Sequence, residues 1–103
     1  MSDEVKLTHT SALILQTVSA GFRYGFEIME RTGLPSGTVY PALRRLERDG
    51  LITAKWESER IATAEQRPPR RYYRTTKAGK EALRQLSERY PLLDKVAPTQ
   101  KSR

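Results

Sequence analysis

The sequence predicts a mainly α fold with a small β hairpin, its elements running in the order ααα-β-β-α. Three observations predict it. Apolar residues recur at helical spacing in three successive segments of the first half. The stretch after Gly50 alternates apolar and polar residues, and a tyrosine-bearing partner stretch follows a polar interval. Helical spacing then returns from Lys77 onward.

The first helix covers residues 7–20. Leu7, Ile14, Leu15 and Val18 follow helical spacing and Leu13 widens the apolar face, enough for contact with both a core and a second subunit. Thr8 or Thr10 can cap its start and Gly21 suits its end, while His9 reads as a polar helix residue rather than a pH sensor. The second helix, residues 24–32, draws its apolar side from Phe26, Ile28 and Met29 and stops at Gly33. Leu34-Pro35-Ser36 is a tight connection, with Ser36 as N-cap of the third helix. That helix runs over 37–49. Val39, Leu43 and Leu46 form its buried stripe, and Gly50 ends it. Pro41 lies one turn inside, where a missing N–H and ring crowding predict a local distortion.

Residues 51–57 read as a strand with Ile52, Ala54 and Trp56 facing one way, and Trp56 reads as wing-to-core packing rather than as an effector platform. Residues 58–69 lack a period and read as a loop. Residues 70–75 read as a second strand with Tyr73 inward. Thr75 or Thr76 can cap a last helix over 77–90, with Gly79, Ala82, Leu83, Leu86 and Tyr90 on one face. Pro91 breaks or kinks it, and Leu92, Leu93 and Val96 extend its apolar contact. The resulting division is 1–75 for the first unit, 76–97 for a C-terminal dimerisation helix with Leu13, Leu83, Leu86, Tyr90 and Leu93 as its contacts, and 98–103 for a disordered basic tail.

Charge narrows the function. The 103 residues carry 19 Lys and Arg against 12 Asp and Glu, a formal +7. Residues 1–35 balance at −1, whereas 36–75 and 76–103 hold +4 each. Between Arg67 and Lys80 six basic residues occur with no acid, interleaved with Tyr72 and Tyr73. A polyanion such as nucleic acid is the first partner for such a surface, ahead of a membrane surface. No cysteine is present, which excludes disulfides, thiolate metal sites and cysteine nucleophiles. A single histidine leaves no histidine metal cluster or Ser-His-Asp set. No paired carboxylates in a recognisable frame and no glycine-rich phosphate loop support an enzyme, and no cofactor, metal or catalytic residue is expected. The acidic start Met1-Ser2-Asp3-Glu4 and the lack of a long apolar run predict a soluble, cytoplasmic chain without membrane contact.

Two helices joined by a tight turn and followed by a basic hairpin make a winged helix-turn-helix. Its third helix must bury one stripe and lead with its N-terminal end into a major groove. Ser36, Gly37, Thr38, Tyr40 and Pro41 stand at that end, and Arg44, Arg45 and Arg48 lie where phosphates or guanine edges are met. Arg70 and Arg71 are wing contacts to backbone or minor groove, Arg60 and Arg67 wing-tip groups, and Tyr24 either touches a phosphate or packs as a staple. Lys101 and Arg103 add nonspecific affinity at most. The rival reading is a winged helix used for protein–protein contact without specific DNA binding. The sign of the wing charge argues against it.

The run Thr38-Val39-Tyr40-Pro41-Ala42-Leu43-Arg44-Arg45-Leu46-Glu47-Arg48-Asp49-Gly50-Leu51-Ile52 resembles the signature of the PadR-like transcriptional regulators. Tyr24-Gly25-Phe26-Glu27-Ile28 and Arg70-Arg71-Tyr72-Tyr73-Arg74-Thr75-Thr76-Lys77-Ala78-Gly79 are similar to two further motifs of that family, and the three come in family order. The resemblance implies a dimeric repressor that binds double-stranded DNA, a C-terminal dimerisation helix, and in many members a small hydrophobic or aromatic effector. Thr75 stands where the family usually has an apolar residue, which loosens packing at the strand end. The regular pattern ends at Pro91, short of the family's long helix, so the second subunit is expected to supply part of the core.

Overall fold

The computed structural model describes residues 7–89. Its elements are α1 (His9–Ser19), α2 (Gly25–Thr32), α3 (Ser36–Arg48), β1 (Ile52–Trp56), α4 (Glu59–Ala64), β2 (Arg71–Thr75) and α5 (Lys77–Arg89). Tyr90, Leu93 and the 98–103 tail, on which part of the dimer and tail expectations rest, lie outside the described residues.

Thr8 caps α1 by accepting the Ser11 N–H at 3.0 Å, as one of the two threonines was expected to. Ile14, Leu15 and Val18 of α1 meet Ile28 of α2 and Val39, Ala42, Leu43 and Leu46 of α3 in one core, with Leu51, Ile52 and Tyr73 closing it from the hairpin. Burial follows the helical stripes because side chains three and four apart share a face. Gly33 and Gly50, which end α2 and α3, have φ of 75° and 78°, a left-handed backbone that glycine adopts without a Cβ clash.

The hairpin is antiparallel, with Ile52 opposite Thr75, Ala54 opposite Tyr73 and Trp56 opposite Arg71. A stub of chain between α1 and α2 extends it. Tyr73 donates its N–H to the Arg23 carbonyl at 2.7 Å, and Tyr24 bridges to Tyr72. The chain entering α2 is therefore tied to the wing by backbone. Thr76 caps α5 as expected, its hydroxyl accepting the Gly79 N–H at 3.0 Å and donating to the Gly50 carbonyl at 2.7 Å. α5 packs on α1 and β2. Gly79 lets it approach so closely that a Cβ there would stand 2.1 Å from the Leu51 carbonyl oxygen.

Four sequence expectations are corrected. Residues 58–69 are not all loop: Ser58 accepts the Ile61 N–H and starts α4, which buries Ala62. Six residues are too few to show a period, so only the cap could have announced the helix. The N-cap of α3 is Pro35 rather than Ser36, and no side chain caps that helix. α3 runs without interruption through Pro41. The bond that Pro41 omits would have gone to the carbonyl of Gly37, an exposed residue, so the omission leaves no buried carbonyl unpaired. Trp56 and Phe26 are not core residues: 61% and 60% of their surfaces are exposed. Alternation holds along β1, but Trp56 sits where the hairpin has run past the helices. Phe26 is on the outer side of the first turn of α2.

Candidate nucleic-acid interface

The leading end of α3 is open. Ser36 and Gly37 are exposed and Thr38 half-buried, and with no capping side chain the first N–H groups carry the helix's partial positive charge outward. Burying Val39, Ala42, Leu43 and Leu46 turns Arg44, Arg45 and Arg48 to the opposite, exposed face. Pro41 is half-buried and Arg48 makes only a 3.4 Å contact to Asp49, open to water.

Tyr40 has a fixed seat. A Cβ on Gly25 would come within 2.1 Å of its hydroxyl oxygen, so the phenol lies directly on the α2 backbone while 39% of the residue stays exposed. Tyr40 thus packs on α2 and keeps part of its surface open to solvent.

The far end of the wing, just past the Trp56–Arg71 pair, is braced by Glu57. Its carboxylate accepts both terminal nitrogens of Arg67 at 2.6 and 2.9 Å, the Arg70 N–H at 3.2 Å and the Tyr72 hydroxyl at 3.2 Å. These donors, the Arg67 guanidinium first, hold the Glu57 carboxyl at a pKa of about 2. Its side chain is 4% exposed and that of Arg67 21%. Arg67, a wing-tip candidate from sequence, thus spends its guanidinium inside the protein. Arg60, on α4, is exposed.

Above this brace the Arg70 guanidinium lies 4.1 Å over the Tyr24 ring, and Tyr24 meets Tyr72 edge-on with centroids 5.6 Å apart. Arg71 reaches Glu47 of α3 at 3.2 Å and stands 5.3 Å from the Trp56 ring. Burial raises the pKa of the Tyr73 hydroxyl behind them.

An open cleft of about 620 Å³ lies between the start of α2, the face of α3 and the wing. It brings together five of the sequence-predicted residues, Tyr24, Tyr40, Arg44, Arg70 and Arg71. Ser36, Gly37, Thr38, Pro41, Arg45, Arg48, Arg60 and Arg67 do not line it. The cleft adds Phe26, Glu47, Trp56 and Pro69, none of which the sequence reading placed at a DNA interface. Phe26 and Trp56 were assigned to the core by their periodicity; the hairpin's reach beyond the helices leaves Trp56 at the surface, and Phe26 lies on the open side of the first turn of α2. Among the described residues no three His, Cys, Asp or Glu side chains gather as a metal set. No described helix is long and apolar enough to cross a membrane.

Residues 14–85 match the family model described as "Transcriptional regulator PadR-like family". Among solved structures, a PadR family transcription regulator from Clostridium difficile R20291 superposes with a TM-score of 0.72 at 28% identity, over 86% of this chain and 94% of that one. A PadR-like transcription factor from Bacteroides fragilis gives 0.68 at 27% identity, over 82% of each chain. A transcriptional regulator from Clostridium thermocellum gives 0.65 at 29%, over 84% and 86%. No curated protein sequence matches the chain.

Proposed function

The chain belongs to the PadR-like family of transcriptional regulators, DNA-binding regulators rather than enzymes, and we propose that it is a repressor that binds a pseudo-palindromic operator as a homodimer. In this reading α3 of each subunit enters a major groove, the two half-sites lie ~10 bp apart, and the wing rests on the backbone or in the minor groove. The observation that carries it is the arrangement of α3, with an uncapped, exposed N-terminus and an arginine-bearing outer face set beside a wing that presents Arg70 and Arg71. Ser36, Gly37, Thr38, Tyr40 and Pro41 meet bases or nearby phosphates. Tyr24, Arg44, Arg45, Arg48, Arg60, Arg70 and Arg71 serve the backbone, and Arg67 braces the wing through Glu57.

For the dimer, Leu83 and Leu86 on α5 and Leu13 on α1 support the reading, because all three are half-buried apolar side chains on adjacent helices. A small hydrophobic or aromatic effector and a cytoplasmic location complete the proposal, on the strength of the family.

Selection of bound fragments from genomic DNA with the purified protein, run with light scattering, tests operator symmetry and subunit number together. Arg70→Ala with Arg71→Ala is expected to weaken binding to all sequences and to flatten its salt dependence. Tyr40→Ala is expected to change preference among operators. DNA binding without salt dependence, or a double arginine variant that binds like the parent, overturns the reading.

A further inference from the structure

The four large apolar side chains that stand exposed among the described residues are Phe26, Tyr40, Trp56 and Ile61, and three of them line the one cleft between α2, α3 and the wing. Leaving a tryptophan and a phenylalanine each about 60% open to water forgoes burial energy that the small core would gain from them. On a chain this charged, their convergence marks a contact surface. The walls of the same cleft carry Arg44 from α3 and Arg70 and Arg71 from the wing, while its one acid, Glu47, is already paired with Arg71. Cations and aromatic side chains set side by side along the walls match a ligand that alternates anionic and apolar groups at short intervals. A DNA strand has this pattern, with phosphates separated by deoxyribose rings.

We propose that this cleft seats one sugar–phosphate strand of the bound duplex, and that Phe26 and Trp56 contact its deoxyribose faces while Arg44, Arg70 and Arg71 take the flanking phosphates. The inference rests on the DNA-binding role above and extends it to two residues outside the basic set. Trp56 and Phe26 supply apolar contact, which displaces water but releases no counterions. Their removal therefore lowers affinity without altering the salt dependence, unlike the removal of an arginine. They also face opposite walls, one on the wing and one on α2, so the strand is gripped across its width.

The chain holds a single tryptophan, so its emission reports on this cleft and nothing else. The full chain is titrated with a labelled duplex recovered by selection, following Trp56 emission and label anisotropy across a salt series. The series is repeated for Phe26→Ala, Trp56→Ala and Arg44→Ala. Saturating duplex is expected to shift Trp56 emission. Phe26→Ala and Trp56→Ala should each weaken binding about tenfold, the scale of one aromatic's buried area, with the slope of log affinity against log salt unchanged. Arg44→Ala should reduce that slope by about one. Because both aromatics are exposed, thermal melts of the two variants should match the parent.

If the parent binds the duplex but both aromatic variants bind it equally well, or if emission ignores the duplex, the inference fails while the DNA-binding role stands. If light scattering shows that Trp56→Ala dissociates the protein and leaves DNA affinity intact, the patch joins two copies and the inference fails. A parent that binds no DNA at all removes the premise itself.

Discussion

Gly79→Ala is expected to destabilise the protein and Gly37→Ala to stabilise it, although both replace a glycine in the first turn of a helix. At Gly79 the added carbon would lie 2.1 Å from the Leu51 carbonyl oxygen and 2.8 Å from the Thr75 Cγ2, where ordinary contact begins near 3.4 Å. Leu51 cannot retreat. It is buried, and its carbonyl already accepts the Thr76 N–H at 3.0 Å. The start of α5 must therefore lift by more than about 1 Å, an overpacking cost of about 1–3 kcal/mol. Straining the Thr76 bonds adds about 1 kcal/mol. Alanine returns about 1 kcal/mol through its better helix propensity. The net loss is about 1–3 kcal/mol, or about 5–20 °C in melting temperature for a domain of this size. At Gly37 nothing lies within 4 Å of the new carbon and φ is not positive, so only the propensity gain of up to about 1 kcal/mol remains. Thermal melts by circular dichroism at one protein concentration measure both. A Gly79→Ala protein that melts at or above the parent, or a Gly37→Ala protein that falls as far, refutes the close approach of α5 to Leu51.

Thr75→Val should raise stability by about 1 kcal/mol in urea denaturation. Thr75 Oγ1 is buried without a hydrogen-bond partner among the described residues, and valine keeps the shape while removing the unsatisfied oxygen. A loss of stability would show that the hydroxyl has a partner. Glu57 titrates near 2 in the folded protein against 4.5 in the open chain. Because its folded pKa is depressed, its contribution is full above 4.5 and is lost as pH falls through about 2. Urea midpoints of Glu57→Gln should consequently fall below the parent at neutral pH, and the gap should narrow on acidification between 4.5 and 2. A gap that stays constant with pH rules out the brace.

Much of this molecule was legible in its sequence because the core obeys local rules. The stripes Ile14, Leu15, Val18 and Val39, Leu43, Leu46 are short-range patterns, and Thr8, Thr76, Gly33 and Gly50 mark the ends they were expected to mark. What escaped depends on where elements stop against one another. Trp56 obeys strand alternation, yet no helix covers it. Phe26 satisfies the apolar count of its helix, yet it lies on the open side. Arg67 belongs to a basic run that looks like a single surface, and its partner Glu57 is ten residues away across α4. Pairing at that distance leaves no periodic trace. Thr75, in contrast, stood out in the sequence as a departure from an apolar position, and its hydroxyl oxygen is buried without a hydrogen-bond partner among the described residues.

The backbone tie between Arg23 and Tyr73, with Tyr24 held against Tyr72, fixes the wing to the chain that enters α2. Arg71 pins the same wing to Glu47 on α3. The α2 entry, α3 and the wing therefore hold a set spacing, and in the proposed DNA-binding mode they act as a caliper of fixed width. A duplex engaged by α3 and the wing must bring its major groove and the neighbouring minor groove to the spacing the protein dictates. Base steps that bend or untwist at low cost at that point would be favoured even where no side chain touches them. Part of the operator's preference would then lie in stiffness, set by the Arg23–Tyr73 hydrogen bond and the Arg71–Glu47 pair rather than by any contact to a base.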